Sequence, residues 1–377
     1  MIIGVDIREF EKNKATGIGQ YLSNFLSARS VFRAEDKFIL YGNQKTTFKP
    51  PEKDYVVRII RERITLWWDQ ILLPWRLYRD RVDVFLSPYY KAPLLASCPV
   101  VVTIHDILFL KFPQRRSIRH LLYTLLSHIY ARALISKASA IITDSKHSKR
   151  DILNTFKVPA EKVKVVTLGV TKRFHPVREK GEIERVKKKY NIKRRYLLYV
   201  GNFKPHKNVP SLIDAYQRLP LSLREDHQLV LAGDAGSGIR EVKKRLAKMG
   251  LVSDVVVTGL ISFEDLPPLY SGAEVFVFPS LYEGFGLPVV EAMACGVPVI
   301  SSDAASLPEI IGDAGVLYSP DRVENLVEVL TSLLSNPDKR KELAEKGLNR
   351  SRLYRPGSQA KKIREIIMEV YQEWKLR

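Results

Sequence analysis

Phe278-Pro279-Ser280-Leu281-Tyr282-Glu283-Gly284-Phe285-Gly286-Leu287-Pro288-Val289-Val290-Glu291-Ala292-Met293-Ala294-Cys295-Gly296 is the stretch that decides how this chain folds. The apolar run Val275–Pro279 leading into it reads as a strand. Glycines 284 and 286 then give a turn in which backbone approaches a ligand closely. Pro288 opens a helix at the first position, which proline favours. The amides of Phe285, Gly286 and Leu287 stand at that helix N-terminus, where free N–H groups and the helix dipole favour an anion such as phosphate. Glu283 in the turn and Glu291 one turn into the helix are placed to face one ligand from different depths. Taken singly, Glu291 reads as a complement to the helix dipole and Glu283 as an exposed loop residue. Only the block as a whole carries the functional reading.

Outward from this block, short apolar runs alternate with helical patterns along the whole chain, the signature of α/β folding with parallel sheets. The strand candidates of the first half are Ile2–Asp6, Phe38–Tyr41, Val56–Ile60, Val84–Ser87, Val100–Ile104, Ala140–Thr143 and Val163–Thr167. Those of the second half are Tyr196–Val200, Gln228–Ala232, Val255–Thr258, Val275–Pro279, Val297–Ser301 and Val316–Tyr318. Most lack polar alternation, as strands buried on both faces do. The polar stretch Thr171–Lys193 reads as a linker and an exposed helix, and Pro356 interrupts the terminal helical pattern. The expected organisation is two Rossmann-like domains, 1–170 and 171–355, with a helix 356–377 returning to the first. At 377 residues, two domains are also what length alone favours. Gly17 and Gly19, His105, Lys207, Gly233 and Glu283 all follow strands. Ligands bind outside the carboxyl ends of strands in open parallel sheets, so two facing carboxyl edges would enclose one cleft.

Composition narrows the partners. The formal net charge is +20, and residues 1–170 hold 28 Lys/Arg against 15 Asp/Glu, so the excess is concentrated in the first half. Phosphate, nucleic acid or an anionic membrane answers such a surface. A basic stretch, Lys111, Arg115, Arg116, Arg119 and His120, precedes the helical run Leu121–Ile135 and is a candidate lipid-docking patch. The two cysteines, Cys98 and Cys295, have no metal-ligand spacing and suit a reducing compartment. No apolar run is long enough to span a bilayer, and the first residues read as a strand rather than a signal peptide. A cytoplasmic protein, peripheral on the inner face of the cytoplasmic membrane, is expected.

As a block, Glu283 to Gly296 resembles the Glu-x7-Glu signature of retaining GT-B glycosyltransferases of family four, the group one transferases. In that family the first glutamate holds donor-sugar hydroxyls and the second the ribose of the nucleotide. The resemblance therefore implies these roles for Glu283 and Glu291, and sugar or diphosphate contacts for the amides of Phe285, Gly286 and Leu287. Tyr199-Val200-Gly201-Asn202-Phe203-Lys204-Pro205-His206-Lys207-Asn208 is similar to the family's phosphate loop, which assigns the diphosphate to Lys207 with Asn202 beside it. The arginine common near Asn202 is missing here, and Lys204 is the candidate substitute. Thr16-Gly17-Ile18-Gly19-Gln20-Tyr21 resembles the glycine loop near the donor diphosphate, and Thr103-Ile104-His105-Asp106 the histidine that contacts the transferred sugar. Leu231-Ala232-Gly233-Asp234-Ala235-Gly236 and Thr258-Gly259-Leu260-Ile261-Ser262 resemble loops around the nucleobase. Ser262 is also expected to cap a helix Phe263–Tyr270, with Asp265 completing a capping-box-like start.

The mechanism implied is front-face transfer with retention, in which a donor phosphate oxygen takes the acceptor proton while Lys207 stabilises the leaving diphosphate. No Asp-x-Asp occurs in the chain, so transfer without a metal or other cofactor is expected. Leu66-Trp67-Trp68-Asp69-Gln70-Ile71-Leu72-Leu73-Pro74 and Ser306-Leu307-Pro308-Glu309-Ile310-Ile311-Gly312-Asp313-Ala314-Gly315 resemble bacterial polysaccharide and O-antigen mannosyltransferases. That implies GDP-mannose as donor, with UDP-glucose or UDP-N-acetylglucosamine behind it, and a lipid-linked glycan as acceptor. Three rivals stand beside this reading: a polyanion-binding protein, a sugar-nucleotide epimerase and a glycan phosphorylase. No nucleic-acid module is recognisable, and no nucleic-acid partner is expected.

Overall fold

The computed structural model describes residues 1–11, 16–50, 54–111, 118–233 and 238–376, with side chains at 109, 118–125 and 127 outside that description. The chain divides into two compact units, Met1–Gly169 with Arg355–Arg377, and Val170–Tyr354. In the first unit the strands are β1 (Ile2–Asp6), β2 (Lys37–Gly42), β3 (Tyr55–Ile59), β4 (Val84–Ser87), β5 (Val100–Thr103), β6 (Ala140–Thr143) and β7 (Val163–Val165). They pair in the order β3-β2-β1-β4-β5-β6-β7, every pair parallel. The second unit holds β8 (Arg195–Val200), β9 (His227–Ala232), β10 (Val255–Gly259), β11 (Val275–Phe278), β12 (Val299–Ser302) and β13 (Val316–Tyr318), in the order β10-β9-β8-β11-β12-β13, again all parallel.

Every run read as a strand is a strand, with ends displaced by two residues at most. The reason is burial on both faces: each residue of β4, β5, β6, β9, β11 and β12 is buried. Fully burying one of these valines, leucines or isoleucines contributes about 1.5–3 kcal/mol relative to leaving it exposed. Strand order reverses between β1 and β4 in one sheet and between β8 and β11 in the other. Those reversal points open the crevices where an α/β sheet takes ligands.

The terminal helix Pro356–Lys375 belongs to the first unit and is anchored through Gln359. Gln359 accepts from the Gly169 amide at 2.8 Å and donates to the Tyr21 carbonyl at 3.1 Å. Gly169 has no room for a side chain, since a Cβ would lie 2.5 Å from Pro356 Cα.

Three local expectations are corrected. The helix expected at Phe263 begins at Leu266, with Asp265 at the N-cap position and Ser262 outside it. Ser262 Oγ instead donates to Asp265 Oδ2 at 2.6 Å. Pro267 and Pro268 fit only a first helical turn, where their missing N–H groups cost nothing, and this places the start late. The helix after the glycine turn runs Leu287–Ala294, with Gly286 as its N-cap, so Pro288 occupies its second position. Finally, Thr171–Lys193 is more than a linker. Phe174 is buried edge-on to Phe263 and Tyr270, and the Val177 amide donates to Ser271 Oγ.

Candidate active site

In the second unit the loops following β8 and β11, neighbours at the reversal point, meet side by side. The Leu281 amide donates to the His206 carbonyl at 2.7 Å and locks the two loops together. That lock brings Lys207 Nζ to 2.6 Å from Glu283 Oε1, both side chains being only about one-eighth exposed, at 12% and 13%. His206, beside them, is held neutral: burial and the Lys207 charge push its pKa down to about 4. The glycine turn is fixed from below by fully buried Ser306, whose hydroxyl lies 3.0 Å from the Glu283 carbonyl and 3.1 Å from that of Phe285. Gly286 adopts φ +100°, a conformation that favours glycine, and a Cβ there would also lie 2.8 Å from Leu307. Among the described residues the Phe285, Gly286 and Leu287 amides donate to no protein acceptor. They are therefore placed to receive an anion at the end of the helix.

Behind the turn, Glu291 is half-buried. Tyr270 donates its hydroxyl to Glu291 Oε2 at 3.0 Å. Burial pushes the carboxyl up to about 7, and the Tyr270 bond offsets only part of that rise. Gly233, after β9, serves backbone packing: a Cβ there would lie 2.2 Å from the Gly201 carbonyl oxygen. Asn202 and Lys204 are exposed, and the Asn202 carbonyl accepts from the Tyr199 hydroxyl at 2.7 Å.

The first unit gathers a different set at its carboxyl edge. His105, after β5, has Nδ1 at 2.7 Å from Asp144 Oδ2 and Nε2 at 3.1 Å from the Pro88 carbonyl. Burial alone would lower its pKa, but the Asp144 carboxylate outweighs burial and raises it. Acceptors on both nitrogens favour the protonated ring. Arg8, after β1, is buried with its guanidinium 3.6 Å from the centroid of Trp68. It donates to Asp6 at 2.7 Å and to Asp69 at 2.6 Å. Burial pushes the Asp69 carboxyl up to about 6 against the pull of Arg8. Around this cluster lies a cavity of about 500 Å³, lined among others by Arg8, Glu9, Asn43, Glu62, Tyr89 and Lys91.

Residues 182–350 match the family model of glycosyl transferases group 1, and residues 39–173 that of Glycosyltransferase Family 4. O-antigen chain mannosyltransferase B of Escherichia coli is 33% identical over 367 residues, covering 91% of this chain and 93% of that one. The chain is a group 1 glycosyltransferase. A serotype-specific mannosyltransferase WbdA of Escherichia coli is 31% identical over 222 residues, 58% of this chain and 27% of that longer one. Among solved structures, WaaG, a glycosyltransferase involved in lipopolysaccharide biosynthesis, superposes with a TM-score of 0.79 at 19% identity, covering 97% of this chain and 99% of that one. At that identity the likeness speaks to the fold alone, which is GT-B.

In this group 1 glycosyltransferase the residues singled out from the sequence fall into two sets. Lys207, Glu283, Phe285, Gly286 and Leu287 gather at the reversal point of the second sheet, with Glu291 on the adjoining helix and Asn202 and Gly233 in neighbouring loops. His105, Gly17 and Gly19 belong to the first unit. Gly17 is the exposed first residue of the helix Gly17–Leu26, and the Gly19 amide is already taken by the Thr16 hydroxyl at 3.0 Å. Asp234, Ala235 and Gly236 lie outside the described residues, as do Arg115, Arg116 and the side chains of Arg119 and His120. Lys111 pairs with Asp151 at 3.2 Å. Sequence reasoning missed Asp144, Ser306 as a positioning residue, Tyr270 and the Arg8–Asp69 pair. Only Asp144 and Arg8 carry a signal in the sequence, a polar residue just beyond a strand end.

Proposed function

We propose that this glycosyltransferase moves mannose from GDP-mannose to a lipid-linked glycan acceptor, with retention, in the building of a cell-surface polysaccharide such as O-antigen. The observation that carries the reading is the Lys207–Glu283 pair beside the Phe285, Gly286 and Leu287 amides, which among the described residues donate to no protein acceptor. A cation and backbone N–H groups there answer a diphosphate, and a carboxylate answers sugar hydroxyls. Glu291, half-buried and bonded to Tyr270, suits the paired hydroxyls of a ribose. The likeness to O-antigen chain mannosyltransferase B over 91% of the chain supports mannose.

In the reaction the bond from the anomeric carbon to the diphosphate oxygen breaks as charge grows on the phosphate. Lys207 and the helix N-terminus stabilise that charge. The acceptor hydroxyl attacks from the same face and its proton passes to a phosphate oxygen, releasing GDP. His105, bonded through both ring nitrogens to Asp144 and the Pro88 carbonyl, gives up the Pro88 bond to donate toward the transferred sugar. The cavity beside Arg8, with carboxylates, amides and tyrosines, has the chemistry of a sugar site and suits the acceptor glycan. The absence of any Asp-x-Asp in the chain supports transfer without a metal.

The test is incubation of the protein in EDTA with GDP-mannose and a diphosphate-lipid-linked glycan. Release of GDP and an α-mannosyl product by NMR are expected. Transfer only from UDP-glucose or UDP-N-acetylglucosamine would replace the donor assignment. An inverted product, or dependence on an added divalent ion, would overturn the mechanism.

A further inference from the structure

The first unit carries an apolar face that its own core does not use. Between Thr65 and Arg79 three helical pieces follow one another: Thr65–Trp67, a π-helical turn Trp68–Leu72, and Leu73–Arg79. Trp68, Leu73 and Leu77 are fully buried on one side. On the other, Trp67, Ile71, Trp75 and Tyr78 recur at spacings of four, four and three, which aligns them in one row. These four are 56%, 48%, 49% and 72% exposed, and Ile64 and Leu66 beside them are exposed as well. A helix that is apolar on opposite sides is ordinarily covered on both. Here the outer row, about 16 Å long at helical rise, faces water.

Its charge is lopsided. Residues 55–81 contain Arg58, Arg61, Arg63, Arg76, Arg79 and Arg81 against Glu62, Asp69 and Asp80. All three carboxylates are held internally, Glu62 by Asn43 and Thr65, Asp69 by Arg8, and Asp80 by the Tyr41 hydroxyl. The Arg76 and Arg79 guanidinium groups lie 5.0 and 4.8 Å from the Trp75 ring centroid, at the rim of the row. Beyond Tyr78 the surface continues across a cavity of about 430 Å³ to Tyr371, Trp374 and Lys375 of the terminal helix. Three of the chain's four tryptophans therefore stand on this side of the first unit, exposed and amid arginine and lysine.

We propose that this face, centred on Trp67, Ile71, Trp75 and Tyr78, seats the protein on an anionic phospholipid surface, with the helix lying in the plane of the interface. Tryptophan, tyrosine and arginine have an apolar body and a polar tip, which suits the headgroup boundary. The excess of 28 Lys/Arg over 15 Asp/Glu in residues 1–170 draws this unit toward anionic lipid. A second copy is a poorer occupant, because pairing the face with itself sets arginines against arginines. Among the described residues no helix is long and apolar enough to cross a membrane, so the contact is a surface one. Arg63 and Thr65 line the cavity beside Arg8, and Thr65 begins this helix. If that cavity takes the acceptor glycan, as proposed above, docking here presents it to a lipid-borne chain; the docking itself does not depend on that reading.

The test is sedimentation with vesicles of phosphatidylglycerol and phosphatidylcholine, and with phosphatidylcholine alone, without donor or acceptor. Expected is binding to the anionic vesicles, a blue shift of tryptophan emission, and weakening by salt. Trp67→Ser with Trp75→Ser should lower the partition coefficient about tenfold per site. Arg76→Gln and Arg79→Gln should each lower it about fivefold. Circular dichroism and the urea-unfolding transition should stay unchanged and so report that the variants are folded. No binding of wild type to anionic vesicles, or wild-type binding by the folded tryptophan variant, would overturn the proposal. So would a dimer, without lipid binding, that the tryptophan substitutions dissolve. Since neither substrate is present, failure here leaves the transferase reading standing.

Discussion

Glu291→Gln should make the protein more stable at pH 8 while weakening its grip on the donor. The Glu291 carboxyl rises from its ordinary 4.5 to about 7 because burial disfavours the charge more than the Tyr270 hydroxyl relieves it. The folded state therefore holds this proton more tightly than the unfolded one. Below pH 4.5 both states are protonated and the group is neutral to stability. Between 4.5 and 7 stability falls as pH rises, and above 7 the whole loss, roughly 3 kcal/mol, is present. Glutamine never ionises and keeps a carbonyl oxygen for Tyr270, so it removes that loss. Urea unfolding should show a gain of about 2–3 kcal/mol at pH 8 and under about 1 kcal/mol at pH 5, in the transition that donor nucleotide shifts. Nucleotide affinity should fall about ten- to a hundredfold, the worth of hydrogen bonds to a charged acceptor. Equal stability changes at both pH values, or destabilisation at pH 8, would refute the argument.

Lys207→Met should reduce turnover by about 10²–10³ with a smaller effect on KM, as expected for a group that acts on charge developing in the transition state; steady-state kinetics would show a pure KM effect if the lysine only binds. Asp144→Asn should lower the His105 pKa, since it removes the charge that outweighs burial, and NMR titration of the imidazole would read the shift. The same pair contributes stability that is fully present below about pH 6.5 and lost as pH rises through the folded pKa, so the variant's deficit should shrink in alkaline buffer. Gly233→Ala should destabilise the Val170–Tyr354 unit by about 1–3 kcal/mol, because its Cβ has no room beside the Gly201 carbonyl; unchanged urea unfolding would contradict that packing.

The strands were legible because runs such as Val-Phe-Val-Phe and Ala-Ile-Ile-Thr are short, rich in β-branched and aromatic residues, and bounded by polar segments. The glycine turn at 284–286 was legible because backbone conformation and helix capping are local. What pairs with what across the fold was not. Lys207 and Glu283 were each picked singly, and only the order β8-β11 sets them 2.6 Å apart. His105 was read with its sequence neighbour Asp106, whereas Asp144, at the end of the adjacent strand β6, is the carboxylate on its ring. Ser262 was taken for a cap because the spacing to Asp265 fits one. Two prolines then delayed the helix and turned that contact into a bond between side chains. The apolar row of Trp67, Ile71, Trp75 and Tyr78 could not be told from core, since periodicity marks a face without saying what covers it.

Calorimetric titration in EDTA with GDP, UDP, GDP-mannose and UDP-glucose, on wild type and on Lys207→Met, tests the central claim most directly. The account predicts that GDP and GDP-mannose bind and the uridine pair does not. It also predicts that Lys207→Met loses affinity for the diphosphates. No binding of any nucleotide or nucleotide sugar at millimolar concentration, or binding indifferent to Lys207, would contradict the assignment of this site to the donor.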